Sequence, residues 1–349
     1  MNDDASAPSA LPAAAVSSLD GPVFSVIVAT RDRPVLFAHA LRSVLDQTAA
    51  SLEVIVVDDG SGVECRARYD EIEAGLVAAG GLVPRFVHLE RLASGHGQSG
   101  SLNAGARLAS GRYLCFLDDD DAWVDMGHLA RAGAIVAAVP GTELMLFDQA
   151  AFRGDERVGA AVWLEDLGQR LKSQGGVAVA VVGAGAYAVT PDVLLTAAGF
   201  CHVNTTIIGV DLFRRIGGFD ETLFYECDRD FYLRAVDAAR GIAYCPETVS
   251  RHNVPEPALG ASMSTRMRPL QKHLQQFALL NRAAGSARHA SIRAYARRHR
   301  GYALSKSVAA SRTPREAMLV GAAVLRGVWQ RALGVALGVV RGSRAGPAG

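Results

Sequence analysis

The sequence has few cysteines, and none of them lie close together. The five are scattered along the chain and show no CxxC spacing: Cys65, Cys115, Cys201, Cys227 and Cys245. This odd and dispersed set argues against a disulfide framework and against a structural zinc site. It favours a reducing cytosol as the location of the protein.

The sequence has little net charge, and its first residues do not have the pattern of a signal peptide. Its 36 Lys and Arg residues nearly balance its 35 Asp and Glu residues, so the overall charge of +1 points to no nucleic-acid partner. With 349 residues, half of them hydrophobic, the chain can form one large globular domain or two. Residues 1–22 have acidic residues and no sustained apolar run, which predicts a flexible tail rather than a signal peptide.

From Val23 the pattern alternates between buried strands and amphipathic helices. Short apolar runs predict strands at VFSVIVAT, LEVIVV, RFVHL and YLCFL, and helical spacing predicts helices at RPVLFAHALRSVLDQT and LNAGARLAS. Strand and helix in this rhythm predict an α/β fold, a three-layer sandwich around a mostly parallel sheet. Ligands bind such sheets beyond the carboxyl ends of the strands.

Polar residues stand at three of these predicted strand ends. They are Thr30 with Arg31, Asp58 with Asp59, and the run from Asp118 to Asp121. We expect all three clusters at one edge of the sheet. Because Asp-Asp-Gly-Ser is also ordinary turn chemistry, a structural role for Asp59 is the alternative to ligand binding.

The four consecutive aspartates indicate a cation. Like charges in a row repel, and a hard divalent cation needs only one or two carboxylates when substrate phosphates complete its shell. On an extended backbone Asp118 and Asp120 would face one side, and Asp119 and Asp121 the other. Alternatively, Asp121 caps a helix that begins near Trp123.

Two later segments add candidate residues. Ile216–Gly241 contains an acidic entry followed by a predicted helix, and Asp228 and Asp230 cannot both point into one site because residues two apart do not share a helix face. His252 ends a later predicted strand and is either a metal ligand or a hydrogen-bonded surface group.

Taken together, these segments resemble the inverting glycosyltransferases of family 2, which have the GT-A fold. The resemblance extends from about Phe24 to Val254. It rests on five segments in the family's order: ATRDRP, SVLDQT, EVIVVDDGSG, LNAGARLASGRYLCFLDDDDAW and GGFDE followed by CDRDFYLR.

The resemblance implies a donor site. In it, Thr30, Arg31 and Asp59 would hold the nucleotide, and Asp118 and Asp119 would lie along the ribose and the sugar. The expected donor is a UDP-sugar, and the expected acceptor is a glycan or a lipid-linked sugar used in cell-surface glycan assembly.

The resemblance also implies a metal and a base. Asp120 would bind Mn²⁺ or Mg²⁺, with His252 as a second candidate ligand, and Asp228 would be the general base that takes the acceptor's proton. The family usually has Glu where this chain has Cys227.

Two other functions remain as alternatives. The segment GAGAYA, residues 183–188, matches a variant of the dinucleotide-binding turn and would fit an NAD-dependent oxidoreductase, although Pro191 follows closely and no acidic residue stands at the expected distance. The other alternative is an inactive relative that only binds sugar nucleotides.

The predicted organisation is a tail of residues 1–22, a catalytic domain of residues 23–257 and an Arg-rich helical extension of residues 258–349. The last apolar segment of the extension contains arginines, which makes a bilayer-spanning helix unfavourable. It is either packed on the catalytic domain or lies in the plane of a membrane surface. The protein is accordingly expected in the cytoplasm, with the inner face of the cell membrane as the alternative.

Overall fold

The structure is a computed structural model that describes residues 21–48, 51–158, 163–173, 181–182, 185–197, 199–254 and 267–326. Its strands are β1 (Phe24–Thr30), β2 (Leu52–Asp58), β3 (Arg85–His88), β4 (Tyr113–Asp118), β5 (Ala122–Trp123), β6 (Leu144–Arg153), β7 (Glu156–Val158), β8 (Val181–Val182), β9 (Ala186–Ala188), β10 (Thr206–Gly209) and β11 (Ile242–Asn253).

The helices follow the same order along the chain. They are α1 (Pro34–Leu45), α2 (Val63–Ala79), α3 (Gly97–Leu108), α4 (His128–Ala138), α5 (Glu165–Ser173), α6 (Pro191–Leu194), α7 (Val210–Arg215), α8 (Cys227–Ala238), α9 (Pro269–Ser286) and α10 (Ala290–Ala310). Residues 314–326 are also helical.

One mixed sheet organises the molecule, with strand order β3-β2-β1-β4-β10-β6-β11-β9-β8. The first four strands of this order are parallel, and β10 runs antiparallel to both β4 and β6. The register pairs Thr30 with Asp58 and Ala29 with Asp118. The three polar clusters predicted at strand ends therefore do lie at one edge.

Hydrophobic residues cover both faces of the sheet. Along β1, Ile27 packs with Ile55 and Leu102 on the α3 side, whereas Val26 and Val28 pack on the side of α1. Successive residues of a strand point to opposite faces, so an almost continuously apolar strand is what a sheet with helices on both sides requires. The predicted three-layer α/β fold is confirmed.

The structure contradicts two of the alternatives. Ala122 and Trp123 form β5, which pairs with β11, so no helix begins there for Asp121 to cap. The GAGAYA segment lies partly outside the described residues. Its last three residues form strand β9, which pairs antiparallel with β8. The dinucleotide-binding turn needs a helix at that point, and the described residues form a strand instead.

The C-terminal helices pack against the catalytic region. Phe277 and Leu280 of α9 and Ile292 of α10 belong to the same hydrophobic cluster as α8 residues such as Phe231. Residues 327–349, which include the end of the last apolar segment, lie outside the described residues. Among the described helices, none combines the length and the apolar character needed to cross a membrane.

Candidate functional site

The four aspartates form a turn and not an extended strand. β4 ends at Asp118, and the backbone N–H of Asp121 donates to the carbonyl of Asp118 at 3.2 Å. The turn brings Asp118 and Asp121 together, so the expected alternation of side chains is wrong. The cause is local, because the chain must reverse here before it enters β5.

Asn204, which the sequence analysis did not identify, holds this turn from the opposite side. Its Oδ1 accepts from the backbone N–H of Asp118 at 2.9 Å, and its Nδ2 donates to Asp121 Oδ2 at 2.5 Å. Its own carbonyl accepts from the indole N–H of Trp123 at 2.9 Å. The segment that contributes Asn204 has no readable motif, so only the fold could bring it here.

A group of ligand atoms that could hold a cation lies beside the turn. One atom each from Asp118, Asp121 and His202 lies within 4.8 Å of the other two. Burial raises the pKa of Asp118 well above its usual value, and the charges of Asp121 and Asp120 raise it further. A cation would relieve this repulsion, and carboxylate oxygens suit Mn²⁺ and Mg²⁺, so the residues fit such an ion.

The four carboxylates differ in how accessible they are. Asp121 is fully buried, and its two oxygens already accept from Asn204, from the backbone N–H of Asn253 at 2.7 Å and from the His252 ring at 2.7 Å. Asp118 and Asp120 keep 19% and 28% of their side chains exposed. Asp118 and Asp120 are therefore more available to a cation that arrives with a substrate.

The structure places His252 behind Asp121. Burial opposes a charge on this ring, but the hydrogen bond and charge of Asp121, together with the charges of Asp118 and Asp120, raise the pKa of His252 to about 9. In this arrangement His252 orients Asp121 and balances part of the acidic charge.

Arg33 contacts the middle of the acidic run. Its Nη1 lies 3.2 Å from Asp119 Oδ1 and 3.0 Å from Asp120 Oδ2, and Thr30 donates its hydroxyl to Asp119 at 2.8 Å. Burial and then the charge of Asp120 raise the pKa of Asp119 to about 6. Sequence reasoning chose Arg31 from ATRDRP and missed Arg33, since the motif alone does not show which arginine faces the aspartates.

Asp59 and Arg31 organise the loop that precedes α3. The Asp59 carboxylate accepts from the backbone N–H groups of His96 at 2.8 Å and Gly97 at 3.2 Å, while Arg31 donates to the carbonyl of Asp59 at 2.9 Å. Gly95 has a φ of +73°, and a Cβ there would lie 2.4 Å from Asp59 Oδ2, so only glycine fits. Asp59 and Arg31, which the resemblance assigns to the nucleotide, thus hold the loop before α3 at the edge of the sheet.

Asp228 joins the site from the other side, at the N-terminus of α8. Its Oδ2 lies 3.7 Å from His202 Nε2, which is also 3.9 Å from Asp118 Oδ2. Asp230 instead points toward arginines, with Arg234 at 2.7 Å and Arg282 at 2.6 Å. The helix separates the two carboxylates, as its geometry requires.

Gln98 connects the two sides of the site. Its Nε2 donates to Asp118 Oδ1 at 2.6 Å, and its Oε1 accepts from the Cys227 thiol at 3.3 Å. Burial raises the pKa of that thiol, so Cys227 remains a neutral donor. Cys227, which precedes Asp228, thereby links the start of α8 to the acidic turn through Gln98.

Comparison with known sequences agrees with this geometry. Residues 25–132 match the sequence profile described as glycosyl transferase family 2. The chain is 33% identical over 100 residues to a Campylobacter jejuni GalNAc(5)-diNAcBac-PP-undecaprenol beta-1,3-glucosyltransferase, covering 29% of this chain and 30% of the relative. It is 28% identical over 147 residues to a Mycobacterium bovis PGL/p-HBAD biosynthesis glycosyltransferase, covering 42% and 54%. The matches thus span about a third to a half of these relatives.

Solved structures extend the similarity to most of the chain. Staphylococcus aureus TarS in complex with UDP-GlcNAc superposes with a TM-score of 0.59 at 20% identity, covering 83% of this chain and 74% of that one. A Pyrobaculum calidifontis mannosyltransferase in complex with GDP-Man and Mn²⁺ gives 0.52 at 17% identity, covering 90% and 84%. At these identities the likeness shows the fold. Residues 25–132 thus carry the sequence pattern of glycosyl transferase family 2, and the described residues have the GT-A type of fold.

Proposed function

We propose that this protein transfers a sugar from a nucleotide-diphosphate donor, with uridine as the expected nucleotide, to an acceptor hydroxyl with inversion at the sugar carbon. The observation that carries this proposal is that a cluster of carboxylates and a separate single carboxylate lie close to each other. The acidic turn Asp118–Asp121 and Asp228 come from distant parts of the chain and approach the same histidine, His202.

In the proposed reaction Asp228 is the general base. It accepts the proton of the attacking hydroxyl while the bond between the sugar and the diphosphate breaks on the opposite side, which inverts the configuration. Glu226 supports this position, since it has a φ of +54° and is fixed by Gln276 at 2.7 Å and Arg229 at 3.2 Å. These contacts set the direction in which α8 begins and hence the direction of Asp228.

On the donor side, Thr30, Arg31 and Asp59 are proposed to hold the nucleotide. Thr30 is 3% exposed and donates to Asp119, so it acts by fixing the carboxylate that lies along the sugar. Arg31 and Asp59 act by shaping the loop before α3. Asp118 and Asp119 then line the space where ribose and sugar would lie.

A divalent cation, Mn²⁺ or Mg²⁺, is part of the proposal. When bound, it would neutralise the negative charge that builds up on the leaving diphosphate. Asp120, the most exposed carboxylate of the turn, is proposed to hold it, and Asp118, Asp121 and His202 are the alternative set of ligands. His252 supports the site through Asp121.

The acceptor is proposed to be a glycan or a lipid-linked sugar at the inner face of the cell membrane. The printed name of the Campylobacter relative, a GalNAc(5)-diNAcBac-PP-undecaprenol beta-1,3-glucosyltransferase, supports a lipid-linked acceptor. The catalytic domain is proposed to comprise residues 23–257, and residues 258–349 the extension.

A panel of nucleotide sugars tests the function. We expect the purified chain to hydrolyse or transfer sugar from at least one donor, with UDP-sugars preferred, and to lose this activity in excess chelator until Mn²⁺ is restored. The matched control is Asp70→Asn, which changes an exposed carboxylate on α2 far from the sheet edge. Failure to bind or turn over any nucleotide sugar would refute the proposal, and full activity in chelator would remove the metal from it.

A further inference from the structure

The basic residues are unevenly distributed along the chain. Residues 1–265 have 34 acidic and 20 basic residues, whereas residues 266–349 have one acidic residue, Glu316, and 16 basic ones. The overall charge of +1 therefore conceals an acidic catalytic region and a strongly basic C-terminal region. Charge asymmetry of this size indicates a polyanionic partner for the basic part.

Many of these basic side chains are available to a partner. The exposed ones in the described C-terminal helices include Arg297, Arg298, Lys306, Arg315 and Arg326. Within the described part of the chain, no ion pair joins any of these five to a carboxylate, in contrast to Arg282, which contacts Asp220 and Asp230 at 2.6 Å each. Their positive charges are therefore not neutralised by carboxylates of the described part of the chain.

Large apolar side chains are exposed on the same helices. Met318 is 75% exposed and Leu325 63% exposed, and their spacing of seven residues places them on one face of the helical stretch 314–326. The opposite face packs inward through Val320, which is 6% exposed. Arg315 and Arg326 lie next to this outward apolar face, both on the same side of it. On α10, Tyr302 is likewise 61% exposed.

We propose that the outward faces of α10 and of residues 314–326 dock onto a lipid bilayer that contains anionic lipids. Basic residues contribute to binding such a surface through its negative potential, and outward apolar side chains insert at the boundary between headgroups and acyl chains. A nucleic acid would use the arginines but offers no comparable partner for Met318 and Leu325. The apolar face therefore favours a membrane over a nucleic acid.

The acidic catalytic region would orient the protein on this surface. Its excess of carboxylates is repelled by anionic headgroups, so the C-terminal helices face the bilayer. Arg282 of α9 contacts Asp230 of α8 at 2.6 Å, and Ile292 of α10 lies in the same hydrophobic cluster as α8, the helix that carries Asp228. Docking would thus keep the active site at a fixed position above the membrane, whatever donor or acceptor the enzyme uses.

Vesicle flotation with the full chain tests the inference. We expect binding to vesicles of equal parts phosphatidylglycerol and phosphatidylcholine, little binding to pure phosphatidylcholine, and weaker binding as salt is added. The double variant Arg297→Glu with Arg298→Glu should lose about fivefold in vesicle affinity for each arginine that is replaced. The matched control, Arg66→Glu with Arg68→Glu on α2, should bind as the original does, since these exposed arginines lie on the catalytic region.

The apolar contribution has its own pair of variants. Met318→Ser with Leu325→Ser should weaken vesicle binding, whereas Val63→Ser with Val77→Ser, which are 87% and 59% exposed on α2, should not. Equal loss in both pairs, no preference for anionic vesicles, or binding to nucleic acid in place of vesicles would overturn the inference. Asp228→Asn must bind vesicles normally, which separates failure of docking from failure of the catalytic proposal.

Discussion

The pKa values of aspartates in two regions of this molecule are shifted in opposite directions. In the acidic turn, burial and neighbouring carboxylates raise the pKa of Asp118 well above its usual value. In the loop before α8, where Arg282 of α9 makes contact, burial acts in the same direction on Asp220, but hydrogen bonds from Thr222 and Arg282 outweigh it and lower the pKa of Asp220. The charged form of an aspartate side chain is thus destabilised in the acidic turn and stabilised at Asp220.

This difference separates function from architecture. Asp220 and Asp230 share Arg282 at 2.6 Å, so their charges are compensated within the protein and connect the C-terminal helices to α8. In the acidic turn only Arg33 contacts Asp119 and Asp120 among the arginines of the described residues. Excess negative charge there is costly without a cation, and strongly perturbed carboxylates in a cleft are typical of functional sites.

Asp228 and Asp230 give the strongest test of this contrast. Asp228→Asn keeps the shape of the side chain but cannot take a proton, so sugar transfer should fall by about a hundred- to ten-thousand-fold with donor affinity and melting temperature unchanged. Asp230→Asn should instead lower stability by about 1–3 kcal/mol, because Arg234 and Arg282 lose a buried charged partner. Transfer kinetics and thermal melts measure both. Transfer at near the original rate by Asp228→Asn would place the base elsewhere.

The metal ligands provide the next largest effect. Asp120→Asn should reduce Mn²⁺ affinity, measured with bound nucleotide, by more than about tenfold, since a carboxylate ligand is replaced by a neutral amide. If His202→Gln or Asp118→Asn produces that loss while Asp120→Asn does not, the cation sits in the Asp118, Asp121 and His202 group.

The pH dependence of metal binding has a predicted sign. Burial, followed by the charge of Asp121, raises the pKa of both Asp118 and Asp120, so protons compete with the cation above the usual range of a carboxylate. Cation affinity should therefore rise with pH above the usual titration range of a carboxylate, by up to about tenfold per pH unit for each proton displaced. An affinity independent of pH in this range would show that neither carboxylate is a ligand.

Asp59 provides the smallest effect. Asp59→Ala removes the acceptor for the backbone N–H groups of His96 and Gly97, so the loop before α3 should loosen and nucleotide affinity should fall, by about tenfold for a lost charged hydrogen bond. Calorimetry measures the affinity, and Asp46→Ala, an exposed carboxylate after α1, is the control. Unchanged affinity would leave Asp59 with a purely structural role in its turn.

Sequence reasoning succeeded where a local pattern carries the information. The apolar runs of β1, β2 and β4 are long enough to be read as buried strands, and their polar ends had to meet because parallel strands share an edge. The split between Asp228 and Asp230 followed from helix geometry alone. It failed at the acidic run, where an extended backbone was expected and the chain turns at Asp118.

The sequence by itself therefore determined the layered α/β fold, the edge at which the site lies and the carboxylates that could act there, because strand and helix periodicities are local properties of the chain. The tertiary structure alone decided which of these carboxylates are neighbours and what supports them. Asn204 and His202 lie more than eighty positions from the acidic turn, and Gln98 is separated from Cys227 by 129 positions. Such contacts depend on the packing of β10 and α8 against β4, which no local pattern encodes.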